Sequence, residues 1–243
     1  MSSNPMFNNR ILNDAVASDE PMTLQGVVNK TIFLLLLVTL SGFFVWDLLA
    51  KGFADKAQLL AVAGMICGFI LCLFTIFKPN TSKITAPAYA LCEGLVLGSI
   101  SFAFESMLNG IVLNAVAITL IVLFVMLGLY KAKIITATEK FKKVVMVSTL
   151  AIAIFYFIGF IAALVGHPMT IFNGGIVGIV VSFVICIVAA LNFIIDFDNV
   201  ETSANSFAPK YFEWYFGFSL MLTLIWLYLE LLRLLYLLNS RRD

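Results

Sequence analysis

Long apolar stretches separated by short polar segments dominate the hydrophobic pattern of the chain. A helix needs roughly 20 apolar residues to cross the hydrocarbon core of a bilayer. Seven runs approach or exceed that length, at about residues 27–49, 59–77, 86–108, 111–130, 144–165, 171–195 and 211–238. Because backbone groups in lipid must be paired within the protein, the pattern predicts an all-α, polytopic membrane protein with seven transmembrane helices.

The segments outside the runs set the domain organisation. The first 26 residues are polar and lack the apolar core of a cleavable signal peptide. We therefore expect residues 1–26 to form a flexible cytoplasmic tail and residues 27–240 to form a single transmembrane domain. Breakers at Lys78-Pro79-Asn80 and at Gly166-His167-Pro168 separate neighbouring runs.

The distribution of Lys and Arg predicts the orientation. With the N-terminus inside, the inside segments hold ten of these residues and the outside segments four. The positive-inside rule therefore favours a cytoplasmic N-terminus. The Arg241-Arg242 pair then falls outside, unless the last segment re-enters the membrane instead of crossing it, so the side of the C-terminus stays open.

Composition narrows the function classes. Hydrophobic residues make up 62% of the chain and charged residues 12%, against roughly 25% charged in an average soluble domain. The net charge of +1 and the absence of a basic stripe give no indication of nucleic-acid binding. One His and four Cys, all four inside apolar runs, predict no metal site and no other cofactor. The lipid bilayer is the expected partner.

A few acids lie within or beside the apolar runs. Glu93 and Glu230 interrupt the third and seventh runs, Asp196 and Asp198 close the sixth, and Glu201 lies three residues further on. A charge in hydrocarbon is costly, so such residues often mark ion pathways. Acids at the mouth of a membrane pathway would also attract cations.

Each acid also has a structural interpretation. A protonated Glu93 could hydrogen-bond to a neighbouring helix. Glu230 could pair with Arg233, three residues later on the same helix face. Asp196 and Asp198 could simply be solvated at a helix end.

Several segments carry a resemblance to a known family. The sequences AYALCEGLVLGS around Glu93, DFDNVE at residues 196–201 and WLYLELLRLL at residues 226–235 resemble the transmembrane Bax-inhibitor family, in its bacterial YccA-like branch with a YetJ-type fold. SNPMF at residues 3–7 also resembles that branch. The similarity spans nearly the whole chain and implies seven helices with the last one central in the bundle.

The resemblance also implies a pH-sensitive Ca²⁺ leak, gated by two aspartates of the sixth and seventh helices that share a proton. Phe197-Asp198 matches the sixth-helix motif. The local match on the seventh helix is Glu230. A hairpin turning near Pro209 would instead place Asp198 opposite about residue 220, with Glu230 about 15 Å deeper. That geometry favours Thr223 as the partner, and threonine cannot share a proton as a carboxylate does.

The acids in the apolar runs and the family resemblance lead to two hypotheses for the function. The first is a cation leak channel for Ca²⁺, modulated by pH, in the bacterial inner membrane. The alternative is a non-transporting regulator that binds a membrane protease or another membrane protein. The chain has no Gly-x-Gly-Asp, Gly-x-Ser-x-Gly or His-Glu-x-x-His motif, so we expect no enzymatic activity. We expect a monomer.

Overall fold

The computed structural model describes residues 20–166 and 175–240, and these residues form long helices without strands. A single turn of 3₁₀ helix, Pro79–Thr81, joins the second helix to the third. The helices, which we number in chain order, are α1 (Leu24–Ala50), α2 (Ala54–Phe77), α3 (Ser82–Met107), α4 (Ile111–Lys131), α5 (Glu139–Leu164), α6 (Gly175–Asn205) and α7 (Phe212–Asn239). All seven are long and apolar enough to cross a membrane, which confirms the predicted fold class.

The sixth helix extends further than its apolar run. It continues through Asp196, Asp198 and Glu201 to Asn205, so these acids lie within the helix and do not terminate it. A helix satisfies its own backbone hydrogen bonds, which lets it continue past the apolar run. The turn at Gly166-His167-Pro168 lies largely outside the described residues, as do residues 1–19 and the Arg241-Arg242 pair.

The last helix is the most buried of the seven. In its most apolar stretch 61% of the residues are buried, compared with at most 39% in any other helix. It is also unbroken from Phe212 to Asn239, without the interruption that a re-entrant segment would need. This high burial agrees with the expectation of a central last helix.

Three of the helices begin with side chains that accept hydrogen bonds from the first backbone N–H groups. Thr23 caps α1 by accepting from the Gly26 N–H, and Thr138 caps α5. Glu105, which interrupts the third apolar run, accepts from the N–H groups of Gly110 and Val112 at 2.6 and 3.1 Å. Its charge is placed at the start of α4, where the helix dipole is favourable for an anion.

The chain divides into two compact units. The first contains the described residues up to Ala103 together with Asn199–Met221, and the second contains Phe104–Asp198 and the described residues from Leu222 onwards. In the first unit, α1 and α3 cross closely at Gly42, Gly94 and Gly98. A Cβ at Gly98 would lie 2.8 Å from the Gly42 Cα, so no side chain fits there. Small residues allow this close approach of backbones in membrane helices.

A buried acid holds the start of α1 in the first unit. The Glu213 carboxylate accepts hydrogen bonds from both the N–H and the hydroxyl of Thr23, each at 3.0 Å. The Met22 N–H donates to the Ala208 carbonyl at 2.8 Å. Nearby, the Lys210 ammonium hydrogen-bonds to Glu20 and lowers the pKa of that carboxyl, although this pair is exposed and contributes little to stability.

Candidate functional site

Polar side chains recur on one face of α5 in the second unit. Lys142, Thr149 and Tyr156 follow one another at seven-residue intervals. Seven residues are close to two helical turns, so the three side chains share a face and span about 21 Å along the helix. The hydrocarbon core is about 30 Å thick. Each of the three contacts a polar residue of α6 or α7.

We call these polar contacts together the polar ladder; they form four separate groups. Its members all lie in the second unit and are joined by hydrogen bonds or ion pairs within it. They are Lys142, Thr149, Tyr156, Ser182, Asn192, Asp196, Asp198, Thr223, Glu230 and Arg233.

Glu230 forms one end of the ladder. It is only 5% exposed. Its carboxylate accepts from the Tyr156 hydroxyl and, at 3.3 Å, from the Ser182 hydroxyl. Arg233 donates to the Tyr156 oxygen at 3.2 Å, so a tyrosine of α5 links the glutamate and the arginine that the sequence places on one face. Burial of a carboxylate is costly unless its oxygens are hydrogen-bonded, and these contacts supply that bonding.

The middle of the ladder is a neutral pair. The Asn192 amide nitrogen donates to the Thr149 hydroxyl at 2.9 Å and to the Val188 carbonyl at 2.8 Å. Thr149 lies one interval from Tyr156 in one direction and one interval from Lys142 in the other. The pair therefore places polar groups between the two ends of the ladder.

The sixth-helix acids face different helices. Thr223 donates to Asp196 at 2.7 Å, whereas Asp198 forms a 2.6 Å ion pair with Lys142. The expectation that Thr223 would contact Asp198 was therefore wrong. Thr223 contacts Asp196 instead, two residues earlier on the same helix. Residues two apart on a helix point about 200° apart, so only one of the two aspartates can face α7.

These contacts do not bring Asp198 and Glu230 together. Asp198 pairs with Lys142, and Glu230 bonds to Tyr156 and Ser182. Thr223, which holds Asp196, is seven residues from Glu230, a separation of about 10 Å along α7. The acids of the ladder thus occupy separate positions along it.

Two further candidate acids lie outside the ladder, in the first unit. Glu93 is half-buried on α3, one turn after Tyr89, whose ring packs edge-on against Phe218 at 5.1 Å. Glu201 is exposed near the end of α6. Neither is a member of the polar ladder.

Sequence reasoning missed half of the ladder. In the sequence, the apolar runs contain Thr149, Tyr156, Ser182 and Asn192, and Lys142 enters only the charge count that predicts the orientation. A signal was available, because Lys142, Thr149 and Tyr156 repeat every seven residues in an otherwise apolar helix. Such a repeat indicates a polar face directed at the protein interior.

The comparisons with known proteins agree with this architecture. The family model described as Bax inhibitor 1 like matches residues 4–240, nearly the whole chain. A search of curated proteins found no match. A family match of this extent, together with seven helices able to span a membrane, identifies an integral membrane protein. The chain belongs to the Bax inhibitor 1-like family.

Proposed function

We propose that the protein is a cation leak pathway in which the polar ladder carries Ca²⁺ across the membrane. The observation that supports this most directly is the placement of three acids, Asp198, Asp196 and Glu230, in polar contacts at successive positions among α5, α6 and α7. Carboxylate, hydroxyl and amide oxygens are the ligands that a hard cation such as Ca²⁺ prefers. Polar residues inside a membrane protein commonly mark such paths.

The contacts favour a slow leak over an open channel. Each acid of the ladder is bonded to a neighbouring side chain, so a cation can bind only when such a contact separates. We further propose that pH modulates the leak, because protonation removes the charge that attracts the cation. Since the acids occupy separate positions and do not share a proton, we expect the pH response of the leak to be gradual.

The leak is tested with purified protein in vesicles loaded with a Ca²⁺ indicator. Vesicles containing the protein should take up Ca²⁺ several-fold faster than empty vesicles of the same lipid. Equal rates with and without protein, at both acidic and neutral pH, would contradict the proposal. That result would favour the alternative function, a regulator that binds a membrane protease or another membrane protein. No enzymatic activity is proposed.

We propose that the protein is a monomer in the bacterial inner membrane, in the manner of the YccA-like branch, with a cytoplasmic N-terminus. The Lys/Arg distribution supports this orientation. A single cysteine introduced at Lys140, in a variant without the four native cysteines, should resist an impermeant thiol reagent added to intact spheroplasts. Labelling by the external reagent would show that the N-terminus lies on the opposite side of the membrane.

A further inference from the structure

The segment between α4 and α5 carries a concentration of positive charge. Residues 131–143 contain five lysines and one glutamate, in a chain whose net charge is only +1. Lys142 turns towards Asp198. The other four are exposed and form no ion pair with any residue that the structure describes; we call them the lysine rim, Lys131, Lys133, Lys140 and Lys143.

The α5 lysines of the rim continue an apolar, outward-facing stripe. Lys140 and Lys143 share a helix face with Val144 and Val147, by their spacing of three, four and seven residues. Val144 and Val147 are 65% and 66% exposed. On a membrane helix such an exposed apolar stripe faces lipid chains. The two ammonium groups therefore lie where that lipid-facing surface begins.

At the end of α4, a lysine of the rim likewise continues an exposed face of the helix. Phe124, Gly128 and Lys131 are all exposed and recur at intervals of four and three residues on one face. The following turn is ordered, since the N–H of Lys133 donates to Tyr130 and that of Ile134 to Leu129, each at 3.0 Å. This turn holds Lys133 close to the end of the helix.

We propose that the lysine rim binds the headgroups of anionic phospholipids. The lipid phosphate would lie against the ammonium groups, while its acyl chains would pack along Val144, Val147 and Phe124. Charge complementarity and the adjoining apolar stripes both favour a phospholipid over an anion without acyl chains. A basic residue near an anionic membrane surface contributes about fivefold in affinity.

The test uses the fluorescently labelled full-length protein in a neutral detergent, titrated by thermophoresis with short-chain phosphatidylglycerol. Short-chain phosphatidylcholine and inorganic phosphate serve as comparison ligands. The variants are Lys131→Gln/Lys133→Gln and Lys140→Gln/Lys143→Gln, with Lys140→Arg/Lys143→Arg to restore the charge. The matched control is Lys51→Gln/Lys56→Gln, because Lys51 pairs with Asp47 and Lys56 lies over the Phe53 ring.

We expect phosphatidylglycerol to bind more tightly than phosphatidylcholine, and inorganic phosphate at equal concentration not to displace it. Each glutamine pair of the rim should weaken binding about 25-fold, because two lysines each contribute about fivefold. The arginine variant and the control pair should stay within twofold of wild type. Equal affinity for the two lipids, displacement by phosphate, or an equal loss in the control pair would overturn the proposal. The glutamine variants should keep the wild-type helical content, because the substituted side chains are exposed.

Discussion

Gly98→Ala is expected to destabilise the protein by about 1–3 kcal/mol, the range for overpacking a filled interior. The added methyl group would meet the Gly42 backbone on α1, with its Cα at 2.8 Å and its carbonyl carbon at 3.0 Å. Backbone atoms cannot rotate away as a flexible side chain can, so the two helices must separate. Thermal unfolding in detergent, followed by loss of helical circular dichroism, measures the effect.

Gly128→Ala is the control for this substitution. Gly128 also lies within a predicted membrane-spanning helix, α4, but a Cβ there meets nothing within 4 Å. Alanine should be neutral at this position or slightly stabilising, because it has the higher helix propensity. If the Gly98→Ala and Gly128→Ala variants melt at the same temperature, the close backbone approach of α1 and α3 at Gly98 would be contradicted.

Replacing Lys142 with glutamine is expected to raise the Ca²⁺ leak about tenfold. The Lys142 ammonium lies 2.6 Å from the Asp198 carboxylate, and the two side chains are 27% and 24% exposed. This partial exposure gives solvent access to the pair. Without the ammonium, the carboxylate becomes available to a cation entering the ladder, and an acid at a membrane mouth attracts cations. A tenfold change corresponds to about 1.4 kcal/mol, which is a modest share of the free energy lost when a buried ion pair is broken.

Lys143→Gln is the matched control for the leak measurement, since Lys143 is exposed and forms no ion pair with the described residues. Vesicles of zwitterionic lipid remove any contribution from the lysine rim. The control should leak at the wild-type rate. A Lys142→Gln leak equal to that of Lys143→Gln would show that the Asp198 ion pair does not restrict the pathway.

The fold was predictable because lipid imposes a simple rule on the sequence. Apolar runs of sufficient length must become helices, and all seven did so at nearly the expected positions. The end of α6 was not predictable from hydropathy, since a helix can extend into the interface with polar residues such as Glu201. The buried Glu213 also escaped notice, because a contact with Thr23, 190 residues away, has no local signature.

The candidate site was predictable only in part. Glu230, Asp196 and Asp198 stood out because acids are rare in apolar runs, and all three lie in the ladder. Which aspartate meets Thr223 depends on the rotation of α6 about its axis, and this rotation is set by packing that a single sequence does not reveal. The role of Tyr156 likewise required the α5 face to be placed against α7.

The most direct test of the account is the Ca²⁺ leak of vesicles that contain Glu230→Gln. Glutamine keeps oxygen and nitrogen atoms for Tyr156 and Ser182 but removes the charge at the buried end of the ladder. Wild type, Glu230→Gln and Glu201→Gln should be compared at equal protein density, the last because Glu201 lies on α6 outside the ladder. We predict that Glu230→Gln lowers the leak rate about tenfold, or roughly 1.4 kcal/mol, while Glu201→Gln leaves it unchanged. If correctly folded Glu230→Gln protein leaks Ca²⁺ at the wild-type rate, the claim that the ion passes along the polar ladder would be contradicted.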